Sequence, residues 1–116
     1  LVELMTAPTA PAGTEAALRH LLAATRPYAG LSETAAARAL GMSRATLARR
    51  LASSGMSFRL VRDELRRDLA CSLLRRTELS LADIADRLDF SEPSAFQRAF
   101  RQWTGQPPAR WRRLNR

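Results

Sequence analysis

Arginine carries most of the chemistry available to this sequence. The 116 residues include 19 basic side chains, every one of them arginine, against 11 carboxylates, for a formal charge of +8. A guanidinium is a planar fork of donors that fits a phosphate, or the O6/N7 edge of guanine, through two parallel hydrogen bonds. That chemistry is recognition, not bond making, and it makes double-stranded DNA the first partner to consider. A GC-rich coding sequence also enriches arginine and alanine, so function has to rest on where the arginines stand.

Covalent chemistry has much less to work with. Cys71 is the single cysteine and His20 the single histidine, which leaves no disulfide framework and no zinc cage of the usual ligands. Cys71 falls just off an apolar stripe and reads as a partly buried spectator, not as a redox sensor. His20 reads as a surface or boundary residue. No glycine-rich phosphate loop occurs, and the carboxylates are scattered as salt-bridge partners. The expectation is no enzyme, no catalytic residue, no metal and no cofactor. No apolar run approaches the roughly 18 residues of a membrane span, and no basic-then-apolar leader is visible. A cytoplasmic protein without a membrane partner is therefore expected.

The arginines acquire a pattern through an internal repeat. Leu31-Ser32-x-x-x-x-Ala37-x-x-Leu40-x-Met42-Ser43 recurs 48 residues later as Leu79-Ser80-x-x-x-x-Ala85-x-x-Leu88-x-Phe90-Ser91. After one inserted residue, Leu47, Arg49 and Leu51 correspond to Phe96, Arg98 and Phe100. Each unit has the physics of a helix-turn-helix. Ser32 and Ser80 cap a short first helix, and Ala37 and Ala85 let a second helix cross closely. Gly41 or Asp89 makes the turn. Ser43 and Ser91 are read as caps of the second helix, whose Leu47/Leu51 or Phe96/Phe100 face inward. That leaves Arg44, Thr46, Arg49 and Arg50 outward on the first unit, and Ser94, Gln97, Arg98 and Arg101 outward on the second.

A longer helix must hold the two units apart. Ser57 opens it, and Phe58, Val61, Leu65, Leu69 and Leu73 advance by three or four to make one apolar stripe. Arg59, Arg62, Asp63, Arg66 and Arg67 are placed on its other faces. About 19 residues at a rise of about 1.5 Å give a strut of about 28 Å, near the roughly 34–36 Å between successive major grooves on one face of B-DNA. The spacing permits one chain to read two grooves.

Ahead of the repeat, residues 1–13 carry prolines, threonines and a glycine without a period and read as a linker or boundary segment. Thr14 is the expected N-cap of a first helix in which Ala17, Leu18, Leu21 and Leu22 share a face and which Pro27 stops. Nothing later reads as a strand, so the fold is expected to be all-α. The domain is drawn at 14–116, with helix-turn-helix units at about 31–53 and 80–103 and the linker helix at about 57–76.

Three stretches, LSETAAARALGMSRATLARRL, SFRLVRDELRRDLACSLL and LSLADIADRLDFSEPSAFQRAFRQWTGQPPARWR, together resemble the DNA-binding domain of the AraC/XylS family of transcription regulators over about residues 15–113. Leu81, Ile84, Ala85, Leu88, Phe90, Ser91, Phe96, Phe100, Gly105 and Pro108 follow that family's pattern. The resemblance implies about seven helices, with two helix-turn-helix units on a linker helix, binding asymmetric sites in adjacent major grooves. It implies base reading by Arg49 and Arg98. Ala45 and Ala48 also stand at readout positions, where they offer only van der Waals contact, for instance to a thymine methyl; Thr46 adds a hydroxyl. An N-terminal domain for effector sensing or dimerisation, outside this sequence, is implied too.

The remaining residues are weighed on their chemistry. Arg44, Arg50 and Arg101 are read as phosphate clamps, which set register and affinity but carry little sequence information. Glu92 can accept from cytosine N4, but a Glu-Pro pair after a serine is ordinary helix-start chemistry, and that reading is the stronger. Trp103 and Trp111 are read as core closures, and Arg110, Arg112, Arg113 and Arg116 as a basic tail that touches phosphate or stands in solvent. Asp89 replaces the family's usual turn glycine. Glu33 and Ala36 replace larger apolar residues, which predicts looser packing of that helix, and Pro107 stiffens the last connection. A competing reading makes the arginine face a protein interaction module for RNA polymerase or a sister protomer.

Overall fold

The computed structural model describes residues 11–25 and 31–116. These residues form seven α-helices and no strand: α1 (Pro11–Ala24), α2 (Glu33–Ala39), α3 (Arg44–Ser53), α4 (Phe58–Arg76), α5 (Leu81–Arg87), α6 (Pro93–Thr104) and α7 (Pro108–Asn115). Four serine hydroxyls open helices as their positions suggest. Ser32, Ser43, Ser57 and Ser80 accept from the N–H groups of Ala35, Thr46, Leu60 and Asp83, each satisfying an orphan donor of a first turn.

The turns of both units close in the same way. The Met42 N–H donates back to the Ala37 carbonyl at 3.0 Å, and the Phe90 N–H to Ala85 at 2.9 Å. This closure needs a left-handed residue just before the donor, supplied by Gly41 at φ 76° and by Asp89 at φ 63°. The expected turn function of Asp89 is thus observed, in a backbone region that an L-residue occupies at some cost.

Two cores flank the strut. Leu18, Leu22, Ala36, Ala37, Leu47, Leu51, Phe58 and Val61 form the first, which is largely aliphatic. Ala70, Leu74, Ile84, Ala85, Leu88, Phe96 and Phe100 form the second, rimmed by Phe90, Trp103 and Trp111. Leu69 packs against both. The aromatic rings of the second core meet at tilted or edge-on angles, with Phe100 centroids 6.3 Å from Trp103 and 5.9 Å from Trp111. Both tryptophans close the core, as read from the sequence. Ala36 is fully buried next to Ala37, so these small residues fill the close approach of α2 to α3.

Several local expectations need correction. Helix α1 starts at Pro11, so it overlaps the end of the expected linker, and Thr14 is buried inside it instead of capping it. Ala17 is exposed, while Leu18 and Leu22 supply the buried face. Residues 1–10 and Pro27 lie outside the described residues. Ser91 does not cap α6. The inserted residue shifts the start, Glu92 takes the cap position without a side-chain cap bond, and Pro93 sits in the first turn, where its missing N–H has no partner to lose.

The stripe on α4 also turns partway along. Phe58 and Val61 are buried, but farther along the buried positions are Arg66, Ala70 and Leu74, with Leu65, Leu69 and Leu73 partly covered. The reason is that α1 covers one side of α4, and α5 and α7 cover another. Arg66, assigned to an outer face from the sequence, is therefore an interior residue.

Candidate nucleic-acid interface

Burial of Leu47 and Leu51 on α3, and of Phe96 and Phe100 on α6, decides which side chains each helix turns outward. Arg44, Ala45, Ala48, Arg49 and Arg50 are exposed on α3, and Ser94, Gln97, Arg98 and Arg101 on α6. Thr46 is half-buried. The structure thus turns nearly the whole candidate set to solvent and divides it between two helices.

Thr46 does something other than offer a free hydroxyl. Its Oγ1 accepts from the Ser43 hydroxyl at 2.9 Å and from Arg49 Nη2 at 3.4 Å. The residue that anchors the helix start therefore also braces the exposed guanidinium. Arg44 is similarly held, its Nε donating to Glu33 Oε1 at 3.4 Å across from α2. On α6, the Ser94 hydroxyl donates to Glu92 Oε1, so the Glu92 carboxylate is occupied at the helix start, consistent with its local role.

Each outward face borders a shallow depression. On α3 it is lined by Ala45 and Ala48 together with Glu33 and Arg44, and its walls are mostly apolar. On α6 it is lined by Ser94, Gln97, Arg98 and Arg101 together with Pro107. Ala45 and Ala48 correspond in the repeat to Ser94 and Gln97. Neither Glu33 nor Pro107 is marked by its type; each reaches its depression because its own helix start lies against α3 or α6.

Behind the faces, arginines act as structural donors. Arg66 is only 7% exposed; its Nε and Nη2 donate to the Leu88 carbonyl at 3.3 and 3.0 Å, and its guanidinium carbon lies 4.0 Å from the Phe90 ring centroid. It therefore grips the turn of the second unit from the strut. Burial pushes the Arg66 pKa down, and neighbouring Arg62 adds to that push, yet a guanidinium keeps its charge across the physiological range. Arg112 donates to the carbonyls of Leu74 and Thr77, and Arg116 to Thr77, where the last carbonyls of α4 need donors. Arg112 is half-buried against the strut, contrary to the reading of the tail as phosphate-touching or solvated, whereas Arg110, Arg113 and Arg116 are exposed.

The reactive candidates stay at the margins. Cys71 is half-buried, and burial pushes its thiol up, which keeps it in the unreactive form. His20 is exposed on α1. Among the described residues there is no cluster of three or more metal-ligating side chains, and no helix is long and apolar enough to cross a membrane.

Known proteins share this arrangement. A family model described as a helix-turn-helix domain matches residues 36–114. The chain is 42% identical over 94 residues to the ornithine utilization regulator of Pseudomonas aeruginosa, covering 81% of this chain and 27% of that protein. The fold is similar to the crystal structure of the transcriptional regulator CdpR from Pseudomonas aeruginosa, with a TM-score of 0.77, 36% identity, and coverage of 87% of this chain and 32% of that one. A transcriptional regulator with an AraC-type DNA-binding domain from Chromobacterium violaceum matches with a TM-score of 0.81 and 25% identity, over 88% of this chain and 91% of that one. The chain spans about a quarter of the length of the curated relatives it matches.

Proposed function

Because the chain belongs to the AraC/XylS family of helix-turn-helix transcription regulators, as a DNA-binding domain, we propose that it reads one promoter site with two helices, α3 and α6, in successive major grooves. The observation that carries this reading is the repetition itself. Two units of one plan, joined through a single strut of 19 residues, each turn an equivalent arginine, Arg49 or Arg98, to solvent.

In this reading Arg49 and Arg98 each make a bidentate contact to guanine, Ser94 and Gln97 contact neighbouring bases, and Thr46 holds Arg49 in position. Arg44, Arg50 and Arg101 hold phosphates and set the register. Ala45 and Ala48 allow close approach. RNA polymerase contact, effector sensing and dimerisation are assigned to the intact regulator, much of whose length in the curated relatives lies outside the matched region.

The test is selection of bound sequences from a random duplex library at near-physiological salt, repeated with Arg49→Ala and Arg98→Ala. Two base clusters about one helical turn apart are expected. Each variant should relax one cluster, with a discrimination loss of roughly 1–3 kcal/mol at one base pair. A single cluster would make one unit a backbone clamp. Binding with steep salt dependence and no enriched sequence would overturn specific recognition and leave a basic interaction module.

A further inference from the structure

The first turn of α3 holds a cation where a helix disfavours one, and this inference rests on the reading of that cation as a phosphate clamp. Arg44 is the first residue of α3, directly after the Ser43 cap, so its charge lies at the positive end of the helix dipole. Helix stability does not call for a guanidinium there; an anion does. In the structure that anion is Glu33, whose Oε1 accepts from Arg44 Nε at 3.4 Å across the gap from α2 to α3. The two halves of the pair are unequal. The Glu33 side chain is 26% exposed and stands in the first turn of α2, where the dipole favours a carboxylate, whereas the Arg44 side chain is 67% exposed. The carboxylate is held, and the guanidinium has room to swing. The second unit has no such pair, because the matching places hold Leu81, packed against the second core, and Pro93.

A phosphate and the Glu33 carboxylate need the same donors. Both Glu33 and Arg44 border one depression, so an arriving phosphate meets the carboxylate and the guanidinium together. We propose that Glu33 competes with the DNA backbone for Arg44: in the free chain it occupies the clamp, and a phosphate has to displace it. Two effects of the carboxylate oppose each other. Holding Arg44 reduces the ordering needed on binding, but one exposed contact at 3.4 Å fixes that side chain only loosely. Against this, giving up the pair and leaving a carboxylate beside a phosphate lowers affinity by about threefold, within the range of exposed ion pairs. Competition is therefore the larger effect. Phosphate contacts carry no direct sequence information, so Glu33 sets how tightly the first unit holds any duplex and leaves the choice of base unaltered.

The experiment is fluorescence anisotropy at increasing salt, with the full chain, on the duplex enriched from the random library and on a duplex of random sequence. Four forms are compared: the unaltered chain, Glu33→Gln, Arg44→Ala and the double variant. Glu33→Gln should bind both duplexes about threefold more tightly, with the slope of log affinity against log salt steeper by up to about 0.9. In the Arg44→Ala background the same substitution should gain less, because the contested donor is gone. Unchanged or weaker binding by Glu33→Gln would overturn the competition, weaker binding making the carboxylate a support for Arg44. An equal gain with and without Arg44 would overturn it too, reducing Glu33 to general repulsion of DNA. In each of these cases the clamp reading stands as long as Arg44→Ala alone weakens binding and lowers the slope by about 0.9. If Arg44→Ala alone changes neither, the clamp reading fails and the competition with it. The random duplex keeps the test separate from two-groove recognition, which failure to enrich any sequence would overturn by itself.

Discussion

At the scale of single residues, the paired turns show how one backbone requirement is met by two different side chains. Gly41 and Asp89 hold the same left-handed conformation, and a Cβ placed on Gly41 would meet nothing within 4 Å. Gly41→Ala should therefore lose about 1 kcal/mol through backbone conformation alone. Asp89→Gly moves the other way. It relieves about 0.5–1 kcal/mol of left-handed strain and gives up the attraction of an exposed carboxylate for Arg66, worth only a few tenths when screened by water. A net gain of about 0.5 kcal/mol is expected. Urea melts of both variants check the pair, and a gain for Gly41→Ala or a loss for Asp89→Gly would contradict the shared-turn account.

At the scale of elements, α4 is less a spacer than a frame to which each helix-turn-helix unit is fastened differently. The first unit is held by apolar contact from Phe58 and Val61, together with α1, whose Arg19 bridges to Glu64 on the strut. That pair, with Glu15, pushes the Arg19 pKa up. The second unit is also held by a buried cation: Arg66 satisfies the Leu88 carbonyl and packs on Phe90. Lysine keeps the charge but cannot reproduce the two-pronged contact or the planar stacking. Arg66→Lys should destabilise the domain by about 2 kcal/mol, because a hydrogen bond to a charged group and a cation–π contact are both weakened in a buried place. The measurement is the urea midpoint, with the slope against urea unchanged. A midpoint shift corresponding to less than about 0.5 kcal/mol would return Arg66 to the surface role read from sequence.

At the scale of the whole molecule, the formal charge of +8 favours attraction to DNA, and only part of it lies on the outward faces of α3 and α6. Arg66 and Arg112 are committed to the carbonyls of Leu88, Leu74 and Thr77, so net charge overstates the number of phosphate contacts. The proposed clamps make a separable prediction. Arg50→Ala and Arg101→Ala should each lower the slope of log affinity against log salt by about 0.9 and weaken binding to all sequences alike. Arg112→Ala should leave that slope unchanged while lowering stability. A series of anisotropy titrations at increasing salt distinguishes the two classes; an equal slope change for Arg112→Ala would mean that its contacts with α4 open when DNA binds.

The all-α class, the two units, their arginines at matching places and four of the helix starts could be read from the residues because all are set at short range. A serine cap acts within one turn, a left-handed turn residue within two residues, and the inward pairs Leu47/Leu51 and Phe96/Phe100 follow from helical period alone. The outward sides of α3 and α6 were legible for the same reason. What needed the tertiary structure depends on which element lies over which. Arg66 occupies a row with Ala70 and Leu74 that period four would have flagged, but only the packing of α5 and α7 against α4 makes that row the interior. The start of α1, the fastening of Arg112 and Arg116 to the end of α4, and the entry of Glu33 and Pro107 into the two depressions were likewise decided by contacts between distant segments. Local sequence sets the period and the ends of a helix; the neighbours that cover it decide which charges stay free.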